Sequence, residues 1–117
     1  MLLQRYQATQ TATETPRQTE YRLFGQVTRA LVAARDAGDK ARGGPDWHQA
    51  ILWNRRLWLA LQGDLAADGN RLPDDLKARL ISVAIWVDKH SRKVMKGEGE
   101  LTPLIEVNRQ IMGGLAN

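Results

Sequence analysis

The stretch PDWHQAILWNRRLWLALQGDLAADG, from Pro45 to Gly69, decides the fold. At about 100° per residue, Trp47, Ile51, Asn54, Trp58, Leu61 and Leu65 fall within one narrow arc, the core-facing stripe of an amphipathic helix. Pro45 stands where such a helix begins. Its ring presets a helical φ, and the N–H it lacks is one that no carbonyl inside the helix would have reached. Gly69 follows the last periodic residue, and glycine closes helices because it tolerates the left-handed conformation just past the end. The spacing therefore predicts a helix near 46–67.

The same punctuation recurs outward from this segment. Thr15-Pro16, Leu72-Pro73 and Thr102-Pro103 open three further segments, and Gly38, Gly97 and Gly113-Gly114 follow them. The pattern predicts helices near 16–37, 74–96 and 103–112, with Thr15 and Thr102 able to cap as hydroxyl acceptors. In the first, Phe24, Val27, Leu31 and Ala34 share a stripe, with Tyr21 and Thr28 on its edge. The third presents Leu76, Leu80, Val83, Val87, His90 and Val94, and the short fourth Leu104, Asn108, Ile111 and Leu115. Period-two alternation is absent, so the expected fold is all-α: a small bundle of four main helices in a single domain over 1–117. Residues 1–14 are rich in Gln, Thr and Ala, with Leu2, Leu3 and Tyr6 at the front, and read as an arm or short N-terminal helix that docks loosely.

Two helices carry more apolar surface than one stripe needs. Leu52, Trp53, Leu59 and Ala60 lie away from the Trp47–Trp58 line, around Arg56, and Ile81 and Ile85 lie on the back of the Leu76–Val94 stripe. Either these helices sit centrally and bury two faces, or Leu52, Trp53, Arg56, Leu59, Ile81 and Ile85 form a surface for a partner helix. Glu20, Asn54 and Asn108 interrupt apolar stripes, and a buried polar group without a partner costs about 1–3 kcal/mol. They are candidates for a structural hydrogen-bond network, with Glu20 facing an arginine or Asn54 a carbonyl.

The residues that chemistry would need are missing. The two histidines, His48 and His90, stand on different helices without metal-ligand spacing, and there is no cysteine. Neither Ser82 nor Ser91 stands in a nucleophile elbow. Gly97-Glu98-Gly99-Glu100 lacks the lysine of a phosphate loop and reads as a linker. The expectation is a protein with no catalytic residues, no metal and no cofactor. Its 17 basic and 13 acidic residues give a net charge of +4, which raises nucleic acid as a partner. The charges are interspersed, however, with seven basic and four acidic groups in 1–44, three of each in 45–72, and seven and six in 73–117. The densest basic run, Lys89 to Lys96, ends a helix, where cations offset the negative end of the dipole. No secretory leader and no apolar run of membrane-spanning length is present, so a cytoplasmic location is expected.

Three stretches carry a family resemblance. Thr15-Pro16-Arg17-Gln18-Thr19-Glu20-Tyr21-Arg22-Leu23-Phe24, Trp53-Asn54-Arg55-Arg56-Leu57-Trp58 and Leu104-Ile105-Glu106-Val107-Asn108-Arg109 occur in this order. In order and spacing the chain resembles the FlaF family, flagellar biosynthesis regulators of alphaproteobacteria. The resemblance spans nearly the whole chain. It implies a role in flagellin synthesis and secretion, as an export chaperone that binds flagellin, alongside FlbT, a regulator that acts on flagellin mRNA. The alternative it leaves open is a direct regulator that contacts FlbT or that mRNA. The family supplies no catalytic residues to carry over.

Overall fold

A computed structural model describes residues 14–115. Within them, α1 spans Pro16–Asp36, α2 Pro45–Ala66, α3 Asp74–Met95 and α4 Thr102–Leu115, with a single 3-10 turn at Asp39–Ala41 and no strand. The chain is all-α, and each predicted helix is present. The arm expected over 1–14 lies, but for Glu14, outside the described residues.

Local chemistry explains most of the boundaries. Thr15 accepts from the Gln18 backbone N–H at 3.1 Å while the Gln18 side chain accepts from the Thr15 N–H at 3.0 Å, a reciprocal cap with Pro16 in the first turn. Just before it, Glu14 pairs with Arg22 at 2.9 Å and ties the entering chain to the second turn of α1. At the end of α3, Gly97 takes φ +80°, and the Gly97 and Glu98 N–H groups donate to Val94 and Lys93 carbonyls, both at 2.9 Å. Asp74 and Asp75 sit at the start of α3 and Arg92 and Lys93 at its end, as its dipole favours.

Three expected end signals act otherwise. Gly69 has no left-handed φ, because α2 ends earlier through Ala67, whose N–H returns to Asp64. Thr102 is the first residue of α4 rather than its cap, and the Leu101 carbonyl accepts from Leu104 and Ile105. Gly113-Gly114 does not stop α4, which continues to Leu115. Glycine weakens a helix interior without forbidding it.

The helices form a curled row in the order α4, α1, α2, α3, with α3 and α4 scarcely touching. The core is built from Leu23, Phe24, Val27 and Leu31 of α1, Trp47, Ala50, Ile51, Leu57 and Trp58 of α2, Ala84, Val87 and Val94 of α3, and Leu101, Leu104 and Ile105 around the start of α4. The α2 stripe is as expected except that Leu61 is half-buried, while Leu57 and Ala50 widen it towards α1. Tyr21 is exposed, and Leu23 is buried in its place. On α3 the buried line is Ala84, Val87, Ser91 and Val94, turned by roughly 40° at 100° per residue from the expected one. Leu76, Leu80, Val83 and His90 are left half-buried. The cause is the row itself: α3 packs chiefly on α2 and scarcely on α4, and the small Ala84 and Ser91 lie on the side turned inward. The side chain of Leu115 lies outside what is described.

Candidate functional site

The two amides expected in a polar network form one at the centre of the bundle. Asn108 on α4 accepts the Trp58 indole N–H at 2.9 Å and donates its own amide hydrogens to Asn54 Oδ1 at 2.8 Å and Thr28 Oγ1 at 3.2 Å. Asn54 and Asn108 have no exposed surface, and Trp58 meets the Phe24 ring edge-on at 5.6 Å. The network joins α1, α2 and α4, so it fixes their register. Asn54 is held by another side-chain amide, not by the backbone carbonyl expected for it. Its Nδ2 finds no hydrogen-bond partner among the described residues. Glu20 is elsewhere. It is half-buried about 12 Å along α1 from Thr28, at 1.5 Å per residue, on the wall of a groove at the end of the bundle. It lies outside the buried core, sharing that wall with Ile111 of α4.

The candidate partner residues are on α2 and α3: Leu52, Leu59, Ile81 and Ile85 fall within about 60° of the Arg55–Asp88 contact around their helices, whereas Trp53 lies about 160° around α2 from Arg55. Trp53 is 41% exposed, Leu59 52%, Ile85 44% and Leu52 37%; Arg56 is also exposed, and Ile81 is half-buried. At that contact, Arg55 Nη2 lies 2.8 Å from Asp88 Oδ1, and Arg92 holds the other carboxylate oxygen. Burial would raise the Asp88 carboxyl, but hydrogen bonds and charge from Arg92 and Arg55 outweigh it and hold the group below its ordinary value of 3.8. Because α2 and α3 run antiparallel, Leu59 and Ile85 fall one turn to the same side of this bridge. Leu52 falls one turn to the other side, and Arg56 lies between Leu52 and Trp53 around α2. The bridge thus clamps the two helices that carry the apolar face.

One aromatic residue escaped the sequence reading. Trp86 is 39% exposed on α3 and stacks on His90, with ring centroids 4.9 Å apart and planes 10° apart. His90 reaches the Glu100 carbonyl at 2.8 Å, while Arg42 donates to the Gly99 carbonyl at 2.8 Å, so the 97–100 linker is held from both sides. The signal was present, since Trp86 lies 100° from Val87 and off every core stripe. Among the described residues no group of three or more His, Cys, Asp or Glu could hold a metal, and no helix is long and apolar enough to cross a membrane.

The groove that carries Glu20 encloses about 720 Å³ between the ends of the helices, and was not anticipated. Phe24, Leu61, Leu65, Leu76, Leu80 and Ile111 line it, and Glu20 and Asp64 are the charged residues of its wall. It exists because α3 and α4 diverge, a property of the packing that no single helix displays.

The sequence that folds into this all-helical bundle matches one family model. The family of flagellar protein FlaF matches residues 2–115. No curated protein and no solved structure matches the chain. Since the family match runs almost from end to end, the chain belongs to the FlaF family of flagellar proteins.

Proposed function

We propose that this protein is a non-catalytic cytoplasmic chaperone that binds flagellin before export and thereby governs its synthesis and secretion. The observation that carries the reading is the exposure of Leu52, Trp53, Leu59 and Ile85 on two neighbouring helices braced by the Arg55–Asp88 pair. Flagellin's terminal segments are amphipathic helices that aggregate if left uncovered, and an apolar helix face of this kind covers such a segment. Aromatic and arginine side chains are the usual anchors of such contacts, which assigns that role to Trp53 and Arg56. Regulation follows indirectly, because flagellin held by the chaperone is withheld from the rest of the pathway. The test is calorimetric titration of flagellin into this protein at low and high salt. Apolar capture predicts saturable binding that changes little with salt; absence of binding at either salt would sink the proposal.

The second reading, a direct regulator contacting flagellin mRNA or the FlbT regulator, draws on α3. Trp86 stands between Arg79 and Lys89, with Lys93 a turn further, on one exposed stripe. Basic side chains interleaved with an aromatic suit single-stranded RNA. Binding of that kind weakens steeply as salt rises, because counterions return to the phosphates. The same titration with flagellin transcript, and with FlbT, separates the readings.

A further inference from the structure

We infer that Trp86 is a stacking platform for the bases of single-stranded nucleic acid, with Lys89 and Lys93 as the phosphate contacts beside it. This rests on the RNA reading above and gives it a site, but it asks only for an unpaired base and a phosphate backbone, not for one transcript.

The first observation is how Trp86 is held. Its side chain is 39% exposed, yet one face of the indole is backed by His90, with the rings 4.9 Å apart and within 10° of parallel. His90 is fixed in turn by the 2.8 Å contact of its Nε2 with the Glu100 carbonyl, which can only accept, so the proton sits on Nε2. The linker comes this close because residue 99 is glycine. A Cβ there would stand 3.3 Å from His90 Cε1 and 3.3 Å from Val94 Cγ2. A ring ordered before its ligand arrives has little side-chain freedom left to lose on binding.

The second observation is charge. Between Lys89 and Lys96 stand four cations, Lys89, Arg92, Lys93 and Lys96, and no acid. The acids nearest them are taken: Asp88 by Arg55 and Arg92, Asp75 by Arg79 and Glu100 by Arg42, while Glu98 lies beyond the helix end. Lys89, Lys93 and Lys96 enter no ion pair among the described residues. Lys93 lies about 20° and Lys89 about 60° around α3 from Trp86, to the same side of it. Trp86 itself is about 160° around α3 from Asp88, so this stripe faces away from the Arg55–Asp88 bridge.

Flat stacking selects the occupant. Neighbouring bases cover both faces of each base in a duplex, so an indole on a helix surface reaches a base face only in a single strand. An anionic bilayer would meet the same cations, but it takes up an aromatic that projects into it, and this one lies against a neighbouring ring.

Fluorescence anisotropy of a labelled oligoadenylate, titrated with the full-length protein, tests this. Saturable binding that weakens as salt rises is expected. The same strand made abasic keeps its phosphates and should bind about tenfold more weakly, as one lost base–aromatic stack implies. Trp86→Ala should lose about the same factor towards the intact strand and nothing towards the abasic one, with most of the loss restored by Trp86→Phe. Lys89→Gln/Lys93→Gln should weaken both strands alike and flatten the salt dependence. Equal affinity for intact and abasic strands would overturn the inference, as would tighter binding of a duplex. Binding to phosphatidylglycerol vesicles with none to the strand would overturn it too. The probe carries no flagellin sequence and no flagellin is present. Strand binding with no preference for the flagellin transcript would therefore support this site while removing the case for transcript-specific regulation, and absence of strand binding would overturn it without touching flagellin capture.

Discussion

Trp58 and Trp53 stand five residues apart on α2, about 140° around the helix, and meet opposite surroundings. Trp58 is 1% exposed, packed edge-on by Phe24, and its indole N–H is taken by Asn108. Trp53 is 41% exposed on the face shared with Leu52 and Arg56. Both are large aromatic residues in one apolar run, so hydrophobicity does not separate them. The polar partner does. A fully buried indole calls for an acceptor for its N–H, and on the inner side α4 brings Asn108 to serve as one.

The sharpest way to break this comparison is to truncate the inner residue. Trp58→Ala should destabilise the fold by about 3–5 kcal/mol, enough to unfold a marginal domain, because it opens a cavity at the junction of three helices. Thermal melts followed by circular dichroism check it. A loss no greater than that of Trp53→Ala would show that the two faces are equivalent.

Asn108→Ala is expected to cost less, about 1–3 kcal/mol, because it leaves the Trp58 N–H and the Asn54 carbonyl oxygen buried without partners. Denaturant unfolding measures this. A neutral result would mean that the amides add nothing to the inner face beyond their volume.

Asp88 tests what holds the outer face together. Its folded pKa lies below 3.8, so its ionised form adds stability that is fully present above the unfolded value and is lost as pH falls through the folded one. Asp88→Asn should therefore destabilise by about 1 kcal/mol near neutral pH, a loss in the range of single hydrogen-bonded charges. The gap between variant and parent should close below about pH 4, near the reference carboxylate value. A gap that stays constant down to pH 2 would show that the Arg55 and Arg92 contacts contribute nothing through charge.

The smallest stability effect is expected at the outer tryptophan. Trp53→Ala and Arg56→Ala should each shift unfolding by no more than about 0.5 kcal/mol, as exposed positions do. Each should nonetheless weaken flagellin binding about tenfold, equivalent to about 1.4 kcal/mol. Calorimetric titration paired with a melt for each variant reads both. Unchanged affinity in both variants would remove this face from flagellin recognition.

Much of this was legible along the chain. Prolines at 16, 45, 73 and 103 and the stripes between them specify four helices, since capping and periodicity act within a few residues. The inner line of α2 and the exposure of Leu52, Trp53, Leu59 and Ile85 follow from the same 100° arithmetic. Family membership was legible too, because the three motifs are spread over most of the 2–115 match. Some local signals were legible but ambiguous: Gly113-Gly114 looks like a stop, yet α4 runs through it.

What tertiary structure alone decided is which faces meet. The pairing of Asn54 with Asn108 joins residues 54 positions apart, and no local pattern selects one amide for the other. The turn of α3 that buries Ala84 and Ser91 and leaves Leu76 and Leu80 half-covered depends on α3 packing against α2 and diverging from α4. The groove and the placing of Glu20 on its wall follow from that divergence. Helix formation is a near-neighbour problem, settled by hydrogen bonds four residues apart. The order of helices in the row is settled by side chains that meet only after every helix has formed, and so it cannot be read from any one of them.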